Sequence, residues 1–145
     1  MNLRTKVYLA HSFDQQPRGL SVQACLEEVG IEVINPFQRG EQAMIDKALK
    51  EDGELSPRVC EMIVTMDLEK IDMADGVVAV LQFPPSIGTN MEIFYASYIK
   101  HKPVFTLYEG ADGRSHKHPW IKHLTIISET SDDLVETVKE WAHGR

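Results

Sequence analysis

A strand, a tight loop and a helix follow one another between Gly76 and Ile99, and this arrangement constrains the fold most. The apolar run Gly76-Val-Val-Ala-Val-Leu-Gln-Phe83 is typical of a buried strand, and Ile93-Phe-Tyr-Ala-Ser-Tyr-Ile99 is helix-like. Between them lies Ser86-Ile-Gly-Thr-Asn-Met-Glu92. In open α/β sheets, ligands bind where strands end and helices begin. We therefore expect Glu92 beside a small bound molecule, in a first helical turn whose N–H groups can hold an anion.

The same alternation of strand and helix runs along the whole chain. Predicted strands cover residues 6–10, 31–35, 76–82, 103–108 and 124–127. Predicted helices cover 20–29, 41–50, 57–74 and 90–101, and a last helix begins at a Ser131 cap. Such alternation implies a parallel sheet covered on both faces. We predict one α/β domain over residues 1–145, a doubly wound, flavodoxin-like or Rossmann-like five-stranded parallel sheet of order 2-1-3-4-5.

Length and charge bound the class of protein. A chain of 145 residues is large enough for a single domain with its own core. The net charge of −7 argues against binding of a nucleic-acid polymer. No apolar run spans a membrane, and the N-terminus carries no signal-peptide pattern, so we predict a cytoplasmic protein without membrane partners. Cys25 and Cys60 are predicted on apolar helix faces, as reduced thiols.

Neither a metal nor an organic cofactor is expected. His116, His118 and His123 match no common zinc spacing, and no cysteine lies close to them in sequence. The chain contains neither a G-x-G-x-x-G fingerprint nor a P-loop. We predict a site without cofactor that takes a small molecule.

Glu92 and its neighbours also have a purely structural interpretation. Thr89 and Glu92 fit a capping box, in which Thr89 caps the helix and Glu92 binds back to the cap. Ser86 and Gly88 fit a turn after Pro84-Pro85. Both interpretations stay open at the level of sequence.

Asp67 is the second carboxylate that stands out. At helical spacing it shares a face with apolar residues, namely Cys60, Ile63, Val64, Ile71 and Ala74. An aspartate on such a stripe needs a partner if it is buried. It therefore edges a cleft, lies in a buried hydrogen-bond network, or marks the solvated edge of the stripe. Asp75, before Gly76, is either a turn residue or a brace for the site.

The first strand and its loop offer further candidates. Ser12 can bond a phosphate or a sugar hydroxyl, and Phe13 can stack on a base. The Tyr8 hydroxyl can reach a carboxylate in the crevice between the first and third strands. The alternative is an ordinary polar loop beside packed aromatic residues.

Taken together, these segments resemble the nucleoside 2-deoxyribosyltransferase superfamily, and most closely its 2′-deoxynucleoside 5′-phosphate N-hydrolases. The resemblance rests on Val7-Tyr-Leu-Ala-His-Ser12, on Asp67-Leu-Glu-Lys-Ile-Asp-Met-Ala-Asp75-Gly-Val-Val-Ala-Val80, and on Ser86–Glu92 with its helix. Their order and spacing cover about two-thirds of the chain. Residues 35–57 and the C-terminal quarter match poorly.

The resemblance implies a role for each matching position. Glu92 corresponds to the family's nucleophile, which attacks the anomeric carbon of deoxyribose, and Asp67 to the residue that exchanges a proton with the base. Tyr8 corresponds to a tyrosine that orients the nucleophile. Ser86 stands where the transferases tend to carry an aspartate and the phosphate-preferring hydrolases a serine. With Ser12, Phe13, Gly88, Asn90 and Asp75, Ser86 completes the expected substrate-binding set.

The predicted function is hydrolysis of the N-glycosidic bond of 2′-deoxynucleoside 5′-monophosphates. The alternatives are transfer of deoxyribose between bases and a non-catalytic nucleotide-binding module. One departure is Asp14, near the position of the hydrolases' phosphate-binding arginine, which Arg18, Arg39 or Arg114 would have to replace. In the family a neighbouring subunit's loop closes the site. We therefore expect a homodimer or a larger homo-oligomer, with Arg114 and Ser115 as candidates in that loop.

Overall fold

The structure is a computed structural model that describes residues 4–38, 41–81, 86–108 and 118–145. Its strands are β1 Lys6–Ala10, β2 Glu32–Ile34, β3 Gly76–Leu81, β4 Val104–Tyr108 and β5 Ile126–Ser128. Its α-helices are α1 Gln16–Glu28, α2 Glu41–Asp52, α3 Pro57–Met73, α4 Ile87–Phe94, α5 Pro119–Leu124 and α6 Ser131–His143. A 3₁₀ turn at Phe13–Gln15 precedes α1, and a π-helical turn at Tyr95–Ile99 extends α4.

The five strands form one sheet in the order β2-β1-β3-β4-β5, and every neighbouring pair is parallel. The predicted sheet and its strand order are confirmed. Tyr8 lies opposite Val77, and Ala10 lies opposite Ala79. The carboxyl ends of β1 and β3 therefore lie side by side at the switch point, where a doubly wound sheet opens a crevice.

Alternation along the strands sends side chains to two separate cores. On one face, Val7 and Leu9 pack with buried residues of α1 and α6. On the other face, Tyr8 and Ala10 pack with buried residues of α3 and with Ile93 of α4. Because successive side chains point to opposite faces, Tyr8 necessarily faces α3 and α4. The expected site residues of those helices lie on the same side of the sheet.

The start of α4 differs from the prediction. The helix begins at Ile87 rather than at residue 90, and Ser86 rather than Thr89 is its N-cap. The Ser86 Oγ accepts a hydrogen bond from the Thr89 N–H at 3.1 Å and donates to the Thr89 Oγ1 at 2.6 Å. Serine in extended backbone is among the preferred N-cap residues. Thr89 lies buried inside the first turn instead.

Three further expectations are corrected. Residues 119–124 form α5, and Pro119 stands at its first position, where proline is favourable. Because α5 includes Leu124, the last strand starts at Ile126 rather than at residue 124. Thr130, not Ser131, caps α6 through a hydrogen bond from the Asp133 N–H. Cys60 is exposed rather than packed on an apolar face. Residues 109–117, which follow β4 and include the loop candidates Arg114 and Ser115, lie outside the described residues.

Candidate active site

The Tyr8 hydroxyl binds the carboxylate of Glu92. Tyr8 is fully buried on β1, and its hydroxyl donates a hydrogen bond to Glu92 Oε2 on α4. Burial and the neighbouring carboxylates raise the pKa of Tyr8, so the phenol stays protonated and acts as a donor. The strand and the helix that flank the switch point are thus joined by one polar contact.

Glu92 is the sixth residue of α4 and is not a capping residue. A capping box needs its glutamate at the third helical position, so that interpretation is wrong, as is the placement of Glu92 in the first turn. Burial raises the pKa of Glu92 to about 7, while the hydrogen bond from Tyr8 acts in the opposite direction. A carboxylate with such a pKa changes its charge near neutral pH.

Asp67 projects from α3 into the same group of charges. Its Oδ1 atom is buried and has no hydrogen-bond partner within the described segments. Burial, the charges of Glu92 and Glu41, and a side-chain hydrogen bond with Glu41 together raise the pKa of Asp67 to about 8. Asp67 is therefore not a solvated stripe edge. It is a carboxyl group whose surroundings favour the protonated form.

Glu41 and Lys70 complete the group, and neither was predicted. Glu41 opens α2 and is only 3% exposed, and its Oε2 accepts a hydrogen bond from Lys70 Nζ at 2.9 Å. Lys70 lies three residues after Asp67 on α3, a spacing that places both on one helix face. That spacing was the available sequence signal for Lys70. No local pattern indicated the burial of Glu41.

The N-terminus of α4 brings three of the expected substrate-binding residues together. Ser86 is the cap, Gly88 is exposed, and the Asn90 Oδ1 atom is buried without a hydrogen-bond partner among the described residues. A Cβ added at Gly88 would meet no heavy atom of the described residues within 4 Å. Among those residues nothing packs against Gly88, and the space beside it is open.

The side chain of His11 supports the loop after β1. The buried His11 ring packs at a tilt of 35° against Phe37, with 4.8 Å between ring centroids, and its Nδ1 lies 2.8 Å from the Ser12 carbonyl. The same carbonyl accepts from the Gln15 N–H at 3.0 Å. Ser12 thus has a fixed backbone, whereas the Phe13 side chain lies outside what the structure describes.

Asp75 is not brought to this group of residues. It precedes β3, at the amino ends of the strands, where its carboxylate accepts from the Lys6 N–H and pairs with Arg145. It fastens the start of β1 to the C-terminal end of the described chain.

Of the arginines expected to bind phosphate, only Arg18 lies among the described residues. Arg18 donates a hydrogen bond to Ser131 at the start of α6, on the opposite face of the sheet from Tyr8. Asp14 is exposed. Arg39, Arg114 and Ser115 lie outside the described residues.

Within residues 4–38, 41–81, 86–108 and 118–145, no group of three or more His, Cys, Asp or Glu side chains has the arrangement of a metal site. Within the same ranges, no helix combines the length and the apolar character needed to cross a membrane.

Comparison with known proteins identifies the family and the fold. A family model described as nucleoside 2-deoxyribosyltransferase matches residues 7–131. The sequence has no significant match among curated proteins.

Three solved structures share the fold. A conserved protein from Enterococcus faecalis V583 aligns with a TM-score of 0.70 and 21% identity, over 96% of this chain and 99% of its own. The 2-deoxyribosyltransferase of Bacillus psychrosaccharolyticus aligns with a TM-score of 0.68 and 23% identity, over 90% of each chain. The CMP N-glycosidase BcmB of Clostridium botulinum aligns with a TM-score of 0.58 and 21% identity, over 94% of this chain and 99% of its own.

A doubly wound parallel sheet with buried carboxyl groups grouped at its switch point defines an α/β enzyme. The chain belongs to the nucleoside 2-deoxyribosyltransferase family, because the family model covers most of its length. Its reaction is therefore transfer or cleavage at the N-glycosidic bond of nucleosides or nucleotides.

Proposed function

We propose that the protein hydrolyses the N-glycosidic bond of 2′-deoxynucleoside 5′-monophosphates, with Glu92 as nucleophile and Asp67 as proton donor. The observation that carries this proposal is the grouping of two carboxyl groups, Glu92 held by the Tyr8 hydroxyl and Asp67 on α3 with a buried Oδ1 atom. Burial raises the pKa of both groups toward neutral pH, and the charge of Glu92 raises that of Asp67 further. An ionised Glu92 therefore favours a protonated Asp67, which is the combination that a nucleophile and an acid need.

The reaction follows from these two charge states. The Glu92 carboxylate attacks the anomeric carbon of deoxyribose and forms a glycosyl ester as the bond to the base breaks. The Asp67 proton goes to the departing base. Water then attacks the ester, Asp67 takes up the water's proton, and Glu92 is released. This is the double displacement used by retaining glycosidases.

The N-terminus of α4 favours a phosphorylated substrate. The first N–H groups of a helix have no intrahelical acceptor and attract anions. Ser86 caps this helix without adding a charge, whereas the transferases resembled above tend to carry an aspartate at this position. The open space at Gly88 provides room at the same end, and Asn90 Oδ1, which has no partner among the described residues, can accept a hydrogen bond from a hydroxyl of the substrate. Ser12 is assigned to the same substrate from the loop after β1.

Deoxyribose transfer between bases is the second candidate. One of the structures that share this fold is a 2-deoxyribosyltransferase. The two reactions share the step that forms the glycosyl ester and differ in whether water or a second base attacks it. If no base is released from any nucleoside or nucleotide, a non-catalytic nucleotide-binding module becomes the better interpretation.

We also propose a cytoplasmic homodimer. Apolar side chains remain exposed on α4 and on α5, including Ile87 at 76%, Met91 at 67% and Trp120 at 61%. Apolar surface of this kind marks protein interfaces. Sedimentation that shows an active monomer at the assay concentration would refute the dimer.

The test of substrate class compares each deoxynucleoside with its 5′-monophosphate, with chromatography of the released base and with or without an acceptor base. We expect wild type to have the higher kcat/KM on monophosphates, and Ser86→Asp to lose most of that preference. Aspartate is as good an N-cap as serine, so this variant adds a charge while keeping the cap. Preference of wild type for free nucleosides, or a new nucleoside formed with the acceptor base, would move the transferase to first place.

A further inference from the structure

The ion pair between Glu41 and Lys70 lies beside the carboxyl groups of the site. Glu41 is almost fully buried, and Lys70 is about one quarter exposed. Glu41 and Ala48 are the residues that α2 buries, so this pair is the polar anchor that holds the start of α2 against α3. Lys70 lies three residues after Asp67 on the same face of α3, so the ion pair brings the Glu41 carboxylate to the neighbourhood of Asp67, whose pKa it raises.

The balance of charge around Asp67 gives the ion pair a chemical consequence. The charges of Glu92 on α4 and Glu41 on α2 raise the pKa of Asp67, whereas the charge of Lys70 on its own helix lowers it, and Asp67 in turn raises the pKa of the Tyr8 hydroxyl on β1. Among the described residues, three carboxyl groups therefore share one cation. Like charges at close range in a buried site do not all ionise. Since Lys70 contacts Glu41 directly, Glu41 is the carboxylate whose charge is compensated.

We propose that Lys70 is a positioning residue: its ion pair with Glu41 fixes the Glu41 carboxylate beside Asp67, so that Asp67 keeps the proton it delivers to the leaving base. The role as proton donor rests on the proposed function. The placement of the proton on Asp67 does not, because it follows from the charges alone. Lys70 acts through Glu41 and contacts no reacting atom.

The first test measures where Asp67 titrates, without any turnover. Protein labelled with ¹³C at its aspartate carboxyl groups is titrated by NMR, and the Asp67 signal is assigned by its loss in Asp67→Asn. Glu41→Gln keeps the shape of the side chain and removes a neighbouring negative charge. The Asp67 midpoint should then fall by about one pH unit. A midpoint that stays where it is in wild type would overturn the proposal, whether or not the protein is an N-hydrolase.

The second test asks whether Lys70 acts through Glu41. Lys70→Met should lower kcat at least tenfold, and Lys70→Arg, which keeps the cation, should restore it to within about threefold. In the Glu41→Gln background, Lys70→Met should cause little additional loss. Losses that multiply in the double variant would show independent roles and contradict the proposal.

A matched control separates these effects from the loss of any lysine. Lys100 pairs with Asp72 at 3.4 Å on the exposed surface, so Lys100→Met should change neither kcat nor the Asp67 midpoint. If Lys70→Met does not fold, Glu41→Gln and Lys70→Arg still decide the question, since both preserve size. A failure of the proposed function gives a different result. In that case Glu92→Gln retains full activity, while the Asp67 midpoint still shifts in Glu41→Gln.

Discussion

Removal of the Tyr8 hydroxyl tests how the site controls the charge of Glu92. Tyr8→Phe keeps the buried ring and deletes the hydrogen bond to Glu92 Oε2. That bond favours the ionised carboxylate and offsets part of the rise in pKa caused by burial. Its loss should therefore raise the pKa of Glu92 above 7 and reduce the fraction of enzyme that carries an ionised nucleophile.

The size of the effect follows from the strength of the bond. A hydrogen bond to a charged group contributes roughly 1.5–3 kcal/mol, which corresponds to about 1–2 pKa units. With the Glu92 pKa starting near 7, the ionised fraction at pH 7 should fall about 5- to 50-fold. The deficit should shrink as pH rises, because hydroxide restores the carboxylate. Above about pH 8 the loss of the Asp67 proton limits the gain.

The assay is the pH profile of kcat/KM for base release by wild type and Tyr8→Phe. Wild type should give a bell whose limbs lie near pH 7 and pH 8. The variant should move only the acidic limb, toward higher pH. Tyr95→Phe is the control, since the Tyr95 hydroxyl binds the exposed Asp72 carboxylate at 2.7 Å and should leave both limbs in place. A Tyr8→Phe profile lowered equally at every pH, with unmoved limbs, would refute the reasoning.

Three further predictions concern stability and space. Burial raises the pKa of Glu92 from its ordinary 4.5 to about 7, so the folded protein loses stability as pH rises through that range. In denaturant titrations, Glu92→Gln should therefore be more stable than wild type by about 3 kcal/mol at pH 8 and equally stable at pH 4. Gly88→Ala should leave the Tm unchanged or higher yet raise KM, and a normal KM would contradict the geometry. By contrast, Gly19→Ala should reduce the free energy of unfolding by about 1–3 kcal/mol, because its Cβ would lie 2.7 Å from the His11 ring, and normal stability would contradict the geometry. Lys102 Nζ donates hydrogen bonds to three backbone carbonyls at the end of α3, at 2.7–2.9 Å. Lys102→Met should therefore reduce the free energy of unfolding by about 1–2 kcal/mol, and an unchanged Tm would show that this cap contributes nothing.

The sheet was predictable because its signal is local and repeated. Runs such as Val7–Ala10 and Val77–Leu81 are apolar throughout, which is typical of strands buried on both faces. Helix ends were less predictable. Ser86 and Thr89 are both good N-cap residues three positions apart, and the burial of Thr89 inside the turn, which is a tertiary effect, decides between them.

The site was predictable where strand ends determine it. Tyr8 and Glu92 flank the switch point, so the strand order alone brings them together. Glu41 was missed because its burial depends on the docking of α2 against α3, through a contact to Lys70 that is 29 residues away in sequence. Asp75 was expected near the site, but the register of β3 places it at the amino ends of the strands, away from the site at their carboxyl ends.

The central claim is that Glu92 is the nucleophile, and the most direct test is base release by Glu92→Gln. The variant keeps the size of the side chain and an oxygen that can accept from Tyr8, so it should fold as wild type does in circular dichroism. Wild type and Glu92→Gln are incubated at pH 7.5 with the same set of deoxynucleosides and 5′-monophosphates, and the released base is quantified by chromatography. We predict a loss of at least a thousandfold in kcat on every substrate that wild type cleaves. Base release by the folded variant within tenfold of the wild-type rate would contradict the account.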